Sequence, residues 1–406
     1  MKKRGQVGSP RSARRGSSGV PHSSGPVRRG SSGVPHSSGS ARRGSRSVRR
    51  SGFAFASLAA LALLIPGAYT VEMAGPALDV TGEVAGTRLV KVEGVPTYPT
   101  DTQLYMTTVS AAGNPEVGTL GAHALWALVD QESQLVPVRL LYPPTLSSAE
   151  DDARNAELMN NSQTVAAAVA LEKAGHPVTM KLRVVEIPEG SPAAGQLEPD
   201  DIITGITAPG AAPTTVSTFG NLSKVLHATE PGSTVTVSYQ RGGETGTTTI
   251  ITAPFPPDET GWVHPGSLLG VSLAVEDVQL PATVTYAVEG IGGPSAGLMF
   301  ALGMYDDLTP GSLGGTAAIA GTGTLAFNGE VGPIGGIQHK IVGARERGAT
   351  DFLAPAANCG ETIGYEPEGL RIWAVRNFDD AAAAVRAIGA GRTPKLPTCQ
   401  DVAAGR

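Results

Sequence analysis

The 406-residue chain carries 31 Lys/Arg and 36 Asp/Glu, a formal net charge of -5. The average hides two opposed parts: residues 1–50 hold 13 Lys/Arg and no Asp/Glu, leaving 18 basic against 36 acidic side chains in the other 356. This excludes a single basic nucleic-acid-binding domain. Two cysteines exclude a cysteine-rich scaffold and a multi-cysteine zinc or iron–sulfur site.

RRGSSGVPHSSG occurs at 14–25 and again at 28–39. The repeat has almost nothing apolar to bury, so it cannot offset its ordering entropy. Residues 1–50 are expected to be a disordered, basic cytoplasmic tail. It lacks aromatic residues for stacking, and no specific nucleic acid is expected as a partner. Phe53 to Val71 is an uncharged run of 19, preceded by Arg46, Arg49 and Arg50. The run predicts a single-pass transmembrane helix over 53–71, with Pro66 and Gly67 leaving a cleaved signal peptide as the alternative. The charge bias places the N-terminus in the cytoplasm and the later domains outside the cell membrane. Export makes Cys359 and Cys399 candidate disulfide partners, with two free thiols as the alternative.

Residues 72–162 show strand-like alternation at Arg88–Val92 and Gln103–Val109 and helical patterns at Gly121–Val129 and Ala149–Asn160. They are expected to form a membrane-proximal α+β region without a catalytic cluster. From 163 to 255 the pattern runs helix, strand (Pro177–Ile187), turn and strand (Asp200–Ile206), amphipathic helix (Phe219–His227) and a closing hairpin from Thr234. That order, with VVEIPEGSPAAG, LEPDDIITGI, FGNLSKVL and TVTVSYQRGG, resembles a PDZ domain of the bacterial protease type. The resemblance implies a groove for an extended peptide, with Val178–Val185 and the Asn221–His227 helix as its expected walls. The usual Gly-aromatic-Gly carboxylate loop is not evident.

Residues 262–390 bear the chemistry. Gly292, Gly293 and Pro294 interrupt any helix before Ser295, while Leu298, Leu302 and Tyr305 recur at helical spacing after it. Ser295 is therefore placed at a helix N-terminus, where unsatisfied N–H groups can face a developing oxyanion. Gly293, Pro294 and Ala296 are the candidate oxyanion-loop residues. Lys340 lies in an apolar-patterned segment with Ile337, Ile341 and Ala344, and burial can lower a lysine pKa enough for it to act as a base. Taken singly, a serine at a helix start is most often a cap and a lysine most often solvated.

GPSAG at 293–297, GTG at 321–323 and VGPIGGIQHK at 331–340 resemble the proteolytic domain of the Lon (S16-like) serine peptidases. The resemblance puts the catalytic serine on Ser295, the lysine on Lys340 and an orienting threonine on Thr322. Where that family commonly has an acidic residue, three positions before the serine, this chain has Gly292. Glu330 is expected on an exposed hairpin, and His339 as a structural or exposed neighbour. The order of anchor, PDZ-like unit and Lon-like unit resembles the YlbL-type membrane-anchored Lon-like proteases of Gram-positive bacteria.

The fold class expected is thus multidomain α+β: a transmembrane helix, a PDZ-like domain at 163–255, a Lon-type proteolytic domain at 262–390 and a flexible tail at 391–406. The function expected is an ATP-independent serine endopeptidase acting on exported or membrane-associated polypeptides. Its expected partners are unfolded or flexible polypeptides, peptides in the PDZ groove and further copies of itself. No cofactor or metal is required by such chemistry, and no GxxxxGK[ST] loop occurs. The alternative is a PDZ-containing envelope scaffold with a weakly active or inactive Lon-like domain.

Overall fold

The computed structural model describes residues 44–405 apart from 85, 131, 144, 259 and 289. The expectation of disorder therefore falls outside the described residues as far as 43. From Gly44 the chain is helical, in α1 (Gly44–Leu64).

This helix overturns the transmembrane expectation. Arg46, Arg49 and Arg50 occupy its first two turns, so the apolar part is only Phe53–Leu64. Twelve residues at 1.5 Å each span roughly 18 Å, against about 30 Å of hydrocarbon. Pro66 cannot extend the helix and disfavours helical backbone at Ile65, and by Tyr69 the chain is a strand. Among the described residues no helix is long and apolar enough to cross a membrane. The single-pass topology, the membrane anchor and the placement of the domains outside the cell membrane are corrected with it, as is the membrane-anchored type of relative.

Two units divide the chain, Met1–Leu58 and Ala59–Arg406, and every later element belongs to the second. It begins with β1 (Tyr69–Asp79), β2 (Gln103–Ala112) and β3 (Gln134–Pro137). A long helix, α2 (Ser148–Lys173), follows. It starts at a reciprocal cap in which Ser147 accepts from the Glu150 amide and Glu150 accepts from the Ser147 amide. Next come β4 (Thr179–Glu186), β5 (Ile202–Thr207), α3 (Phe219–His227), β6 (Thr234–Arg241), β7 (Glu244–Ile251) and β8 (Ser272–Gln279). The remainder supplies α4 (Gly297–Leu308), β9 (Ala318–Gly321), α5 (Ile337–Glu346), β10 (Asp351–Pro355), β11 (Arg371–Val375) and α6 (Phe378–Gly389).

One sheet has the order β11-β10-β9-β2-β1-β3. Its β2, β9, β10 and β11 run parallel, while β1 pairs antiparallel with both β2 and β3 and so alone runs against the others. The segment expected to link the membrane to the later domains thus supplies half of this sheet. The PDZ-like sheet, β7-β6-β5-β4-β8, is inserted between α2 and the second half.

The strand period of two sorts the core side chains by face. Leu104, Met106, Ile319 and Leu353 pack with Leu298, Phe300 and Leu302 of α4, in a core that extends to Ala166 and Ala170 of α2. Tyr105, Ala320 and Phe352 pack with Ile337, Ile341 and Ala344 of α5. Cys359 and Cys399 are disulfide-bonded, tying the turn after β10 to a short helix, Cys399–Ala403. The C-terminal segment is therefore ordered where a loose tail was expected.

Candidate active site

Ser295 is delivered by a tight turn ahead of α4. Gly293 has a φ of +86°, a left-handed conformation that L side chains resist. Helix α2 braces this turn: the Asn155 carbonyl accepts from the Gly293 N–H at 3.0 Å, and the Ser162 hydroxyl donates to the Pro294 carbonyl at 3.0 Å. A Cβ on Gly292 would stand 2.7 Å from the Asn155 Cβ, so the backbone of the turn lies directly against the helix.

Lys340 comes from the opposite face of the sheet. Ile337, Ile341 and Ala344 are fully buried, and they carry Lys340 inward with them until only 3% of it is exposed. Its Nζ lies 2.8 Å from Ser295 Oγ, 3.0 Å from the Thr107 carbonyl and 3.3 Å from Thr322 Oγ1. Thr322 directly follows β9, and its hydroxyl donates to the Ser295 carbonyl at 3.0 Å. The Thr322 oxygen is thereby left to accept from the amine.

Burial pulls the Lys340 pKa from 10.5 down to about 8. A neutral amine has two N–H donors and one lone pair. The Thr107 carbonyl and Thr322 Oγ1 take the two donors. The protonated amine donates its third hydrogen to Ser295 Oγ; in the neutral form the lone pair stands there instead and can accept from the Ser295 O–H.

The structure thus brings Ser295, Lys340 and Thr322 together. It separates the three loop candidates by what their amides do. The Gly293 N–H is already taken by Asn155, and Pro294 has no N–H. Neither the Ala296 nor the Ser295 N–H donates to an acceptor among the described residues. Outside the cluster, His339 is buried with Nδ1 3.1 Å from the Glu132 carbonyl. Glu330 pairs with His264 at 3.1 Å.

Thr107, Asn155 and Ser162 went unseen in the sequence. Thr107 and Asn155 act through backbone carbonyls, which leave no residue-type signal. Ser162 is one of five successive polar residues, Asn160 to Thr164, and nothing in the sequence sets it apart from its neighbours.

The PDZ-like groove also differs from expectation. Strand β4, its expected wall at Val178–Val185, has β5 on one edge and β8 on the other. The free edge belongs to β8. A groove of about 250 Å³ lies between Phe219, Leu222 and Leu226 of α3 and the Leu268–Leu273 segment that leads into β8. The N–H groups of Leu269, Gly270 and Val271 donate to no acceptor among the described residues.

The chain thus carries a PDZ-like sheet inserted, in chain order, between the strands of a second sheet beside which a serine lies against a buried lysine. Residues 156–252 match the PDZ domain family, and residues 285–382 match the Lon protease (S16) C-terminal proteolytic domain. The chain is 36% identical over 90 residues to Lon protease 2 of Bacillus subtilis, covering 22% of this chain and 16% of that one. It is 35% identical over 97 residues to Lon protease 2 of Hydrogenovibrio crunogenus, covering 22% and 10%. It therefore spans only a small part of the length of these relatives. The PDZ domain of the SdrC-like protein from Listeria monocytogenes aligns with a TM-score of 0.19 at 22% identity, over 23% of this chain and 86% of that one. The proteolytic-domain matches establish a family relationship to the Lon proteases.

Proposed function

We propose that the chain is a serine endopeptidase with a Ser295–Lys340 dyad that hydrolyses peptide bonds in extended or unfolded polypeptides. The observation that carries this reading is the 2.8 Å contact between a half-buried Ser295 Oγ and a desolvated lysine amine. Neutral Lys340 accepts the Ser295 proton as Oγ attacks the scissile carbonyl carbon. The Ser295 and Ala296 N–H groups face the resulting oxyanion. Collapse breaks the C–N bond, the ammonium of Lys340 returns its proton to the leaving amine, and an acyl-serine remains. Water then attacks the ester with Lys340 as base, releasing the acid and restoring the Ser295 hydroxyl.

Thr322 holds the amine in register throughout. The chemistry itself calls for neither nucleotide nor metal. The groove between α3 and β8 offers a strand edge beside apolar side chains, which suits capture of an extended substrate segment.

The test is cleavage of a panel of denatured proteins by wild type, Ser295→Ala and Lys340→Ala. Loss of cleavage in both variants, each folded as wild type, is the expected result. Equal cleavage by all three overturns the dyad. Absence of cleavage by all three, with peptide binding kept, favours a binding module.

A further inference from the structure

The helix that carries Lys340 lacks the usual device for fixing its start. Its N-cap is Gly336, in a left-handed conformation with φ of +67°, and no side chain caps it. The loop before it is Pro333-Ile334-Gly335-Gly336, in which Pro333 has a fixed φ and the two glycines next to the helix carry no side chain to hold them. Yet Lys340 lies in the first turn of this helix, four residues beyond Gly336. A small slide or rotation of that turn moves Nζ relative to Ser295 Oγ.

One side chain grips this loop from outside. The Ile334 N–H donates to Asn358 Oδ1 at 2.9 Å, and Asn358 Nδ2 donates to the Ile334 carbonyl at 2.9 Å. Both backbone groups of a single residue are thus held by one planar amide. Asn358 is 1% exposed, and its Nδ2 also donates to Glu361 Oε1 at 2.7 Å. Its backbone is held in turn. It ends the 3-10 turn Ala356–Asn358 that follows β10, and the next residue is Cys359, bonded to Cys399.

We propose that Asn358 is a positioning residue for the dyad: its amide clamp on Ile334 sets the place of the first turn of α5, and so the distance from the Lys340 amine to Ser295. The proposal rests on the peptidase reading for its consequence in turnover, while its effect on the lysine stands apart from that reading. Asn358 touches neither the dyad nor the groove. A loss of one ångström in reacting geometry costs roughly a hundredfold in rate. Removing the clamp therefore lowers kcat about ten- to a hundredfold and leaves KM within about threefold. It also gives the amine more water, which moves its titration upward from the depressed value.

The experiment compares full-length wild type, Asn358→Ala and Asn358→Asp. Aspartate keeps the shape and the acceptor for the Ile334 N–H but turns a carboxylate oxygen toward the Ile334 carbonyl. It carries the test if the alanine variant does not fold. Each protein is checked for an intact disulfide and a wild-type circular dichroism spectrum. The titration of Lys340 is read by competitive acetylation with trace acetic anhydride across pH, followed by mass spectrometry of the Lys340 peptide. The readout does not depend on cleavage.

Expected are a fall in kcat at nearly constant KM and an upward shift of the Lys340 titration by about one pH unit or more, a tenfold change in proton affinity. A folded variant with wild-type kcat and an unshifted Lys340 titration overturns the proposal. If wild type cleaves nothing but the titration still shifts in the variant, the peptidase reading fails and the positioning role stands. A loss of kcat without a titration shift overturns the role of the clamp in placing the lysine.

Discussion

The Thr107 carbonyl accepts a hydrogen bond from the Lys340 amine at 3.0 Å across 233 residues of sequence. The bond matters because it occupies one of the two hydrogens of the neutral amine. With Thr322 Oγ1 on the other, the amine has one orientation left, with its lone pair toward Ser295. The region before the PDZ-like unit thereby completes a site whose Ser295, Thr322 and Lys340 side chains all come after it.

Cleavage should follow the neutral fraction of Lys340. The amine is protonated below its lowered pKa and cannot accept the serine proton. kcat/KM should rise through a midpoint near pH 8 and fall about tenfold per pH unit well below it. A pH–rate profile with a small unfolded peptide checks this. A flat profile between pH 6 and 9 would exclude lysine as the base.

The same burial should destabilise the fold at neutral pH. The amine titrates near 10.5 when unfolded and about 8 when folded, so between these values the unfolded chain binds more protons and stability rises with pH. Below pH 8 the full penalty applies, about 3 kcal/mol at 1.36 kcal/mol per pH unit. Lys340→Met removes that penalty together with the hydrogen bonds to Thr107 and Thr322. Its stability relative to wild type should therefore be about 2 kcal/mol more favourable at pH 7 than at pH 10. Urea melts of both proteins at the two pH values measure the difference.

Thr322→Val should keep the fold and lose rate. Valine retains the shape of this buried residue but can neither accept from Lys340 nor donate to the Ser295 carbonyl. We expect kcat to drop roughly ten- to a hundredfold with KM little changed. Steady-state kinetics, with melts to confirm folding, are sufficient.

Gly292→Asp would install the acidic residue common in the family, and it should fail here. Its Cβ would meet Asn155 Cβ at 2.7 Å, forcing the turn away from α2. The expected cost is about 1–3 kcal/mol in stability, with loss of cleavage. Asn155→Gly in the same chain should recover part of both by clearing the space. Additive losses in the double variant would show that the two sites do not interact.

A turn of glycines and proline before a helical pattern, and a lysine in an apolar-patterned segment, marked Ser295 and Lys340 as candidates, but taken singly they read as a cap and a solvated lysine, and only the resemblance to the Lon motifs paired them. Thr322 was legible through the family motif that it shares with Gly321 and Gly323. The sheet was not. Alternation marked Gln103–Val109 as a strand, yet nothing in it names Ala318–Gly321 as the parallel neighbour. The same blindness put the PDZ-like groove on β4, when its second edge was already taken by β8. The Phe53–Val71 run misled for a different reason. Hydropathy counts residues whatever their conformation, and here the helix stops at Leu64, ahead of Pro66, and the last three residues of the run, Tyr69 to Val71, begin a strand.

The insertion of one module into another fixes the order in which this protein can become competent. Strands β2 and β9 become neighbours only after the chain between them has been made and brought back on itself, a long loop whose closure costs entropy. A chain still emerging from the ribosome, with its first half folded, has neither nucleophile nor base in place. The proposed activity would then arrive last, as a consequence of topology.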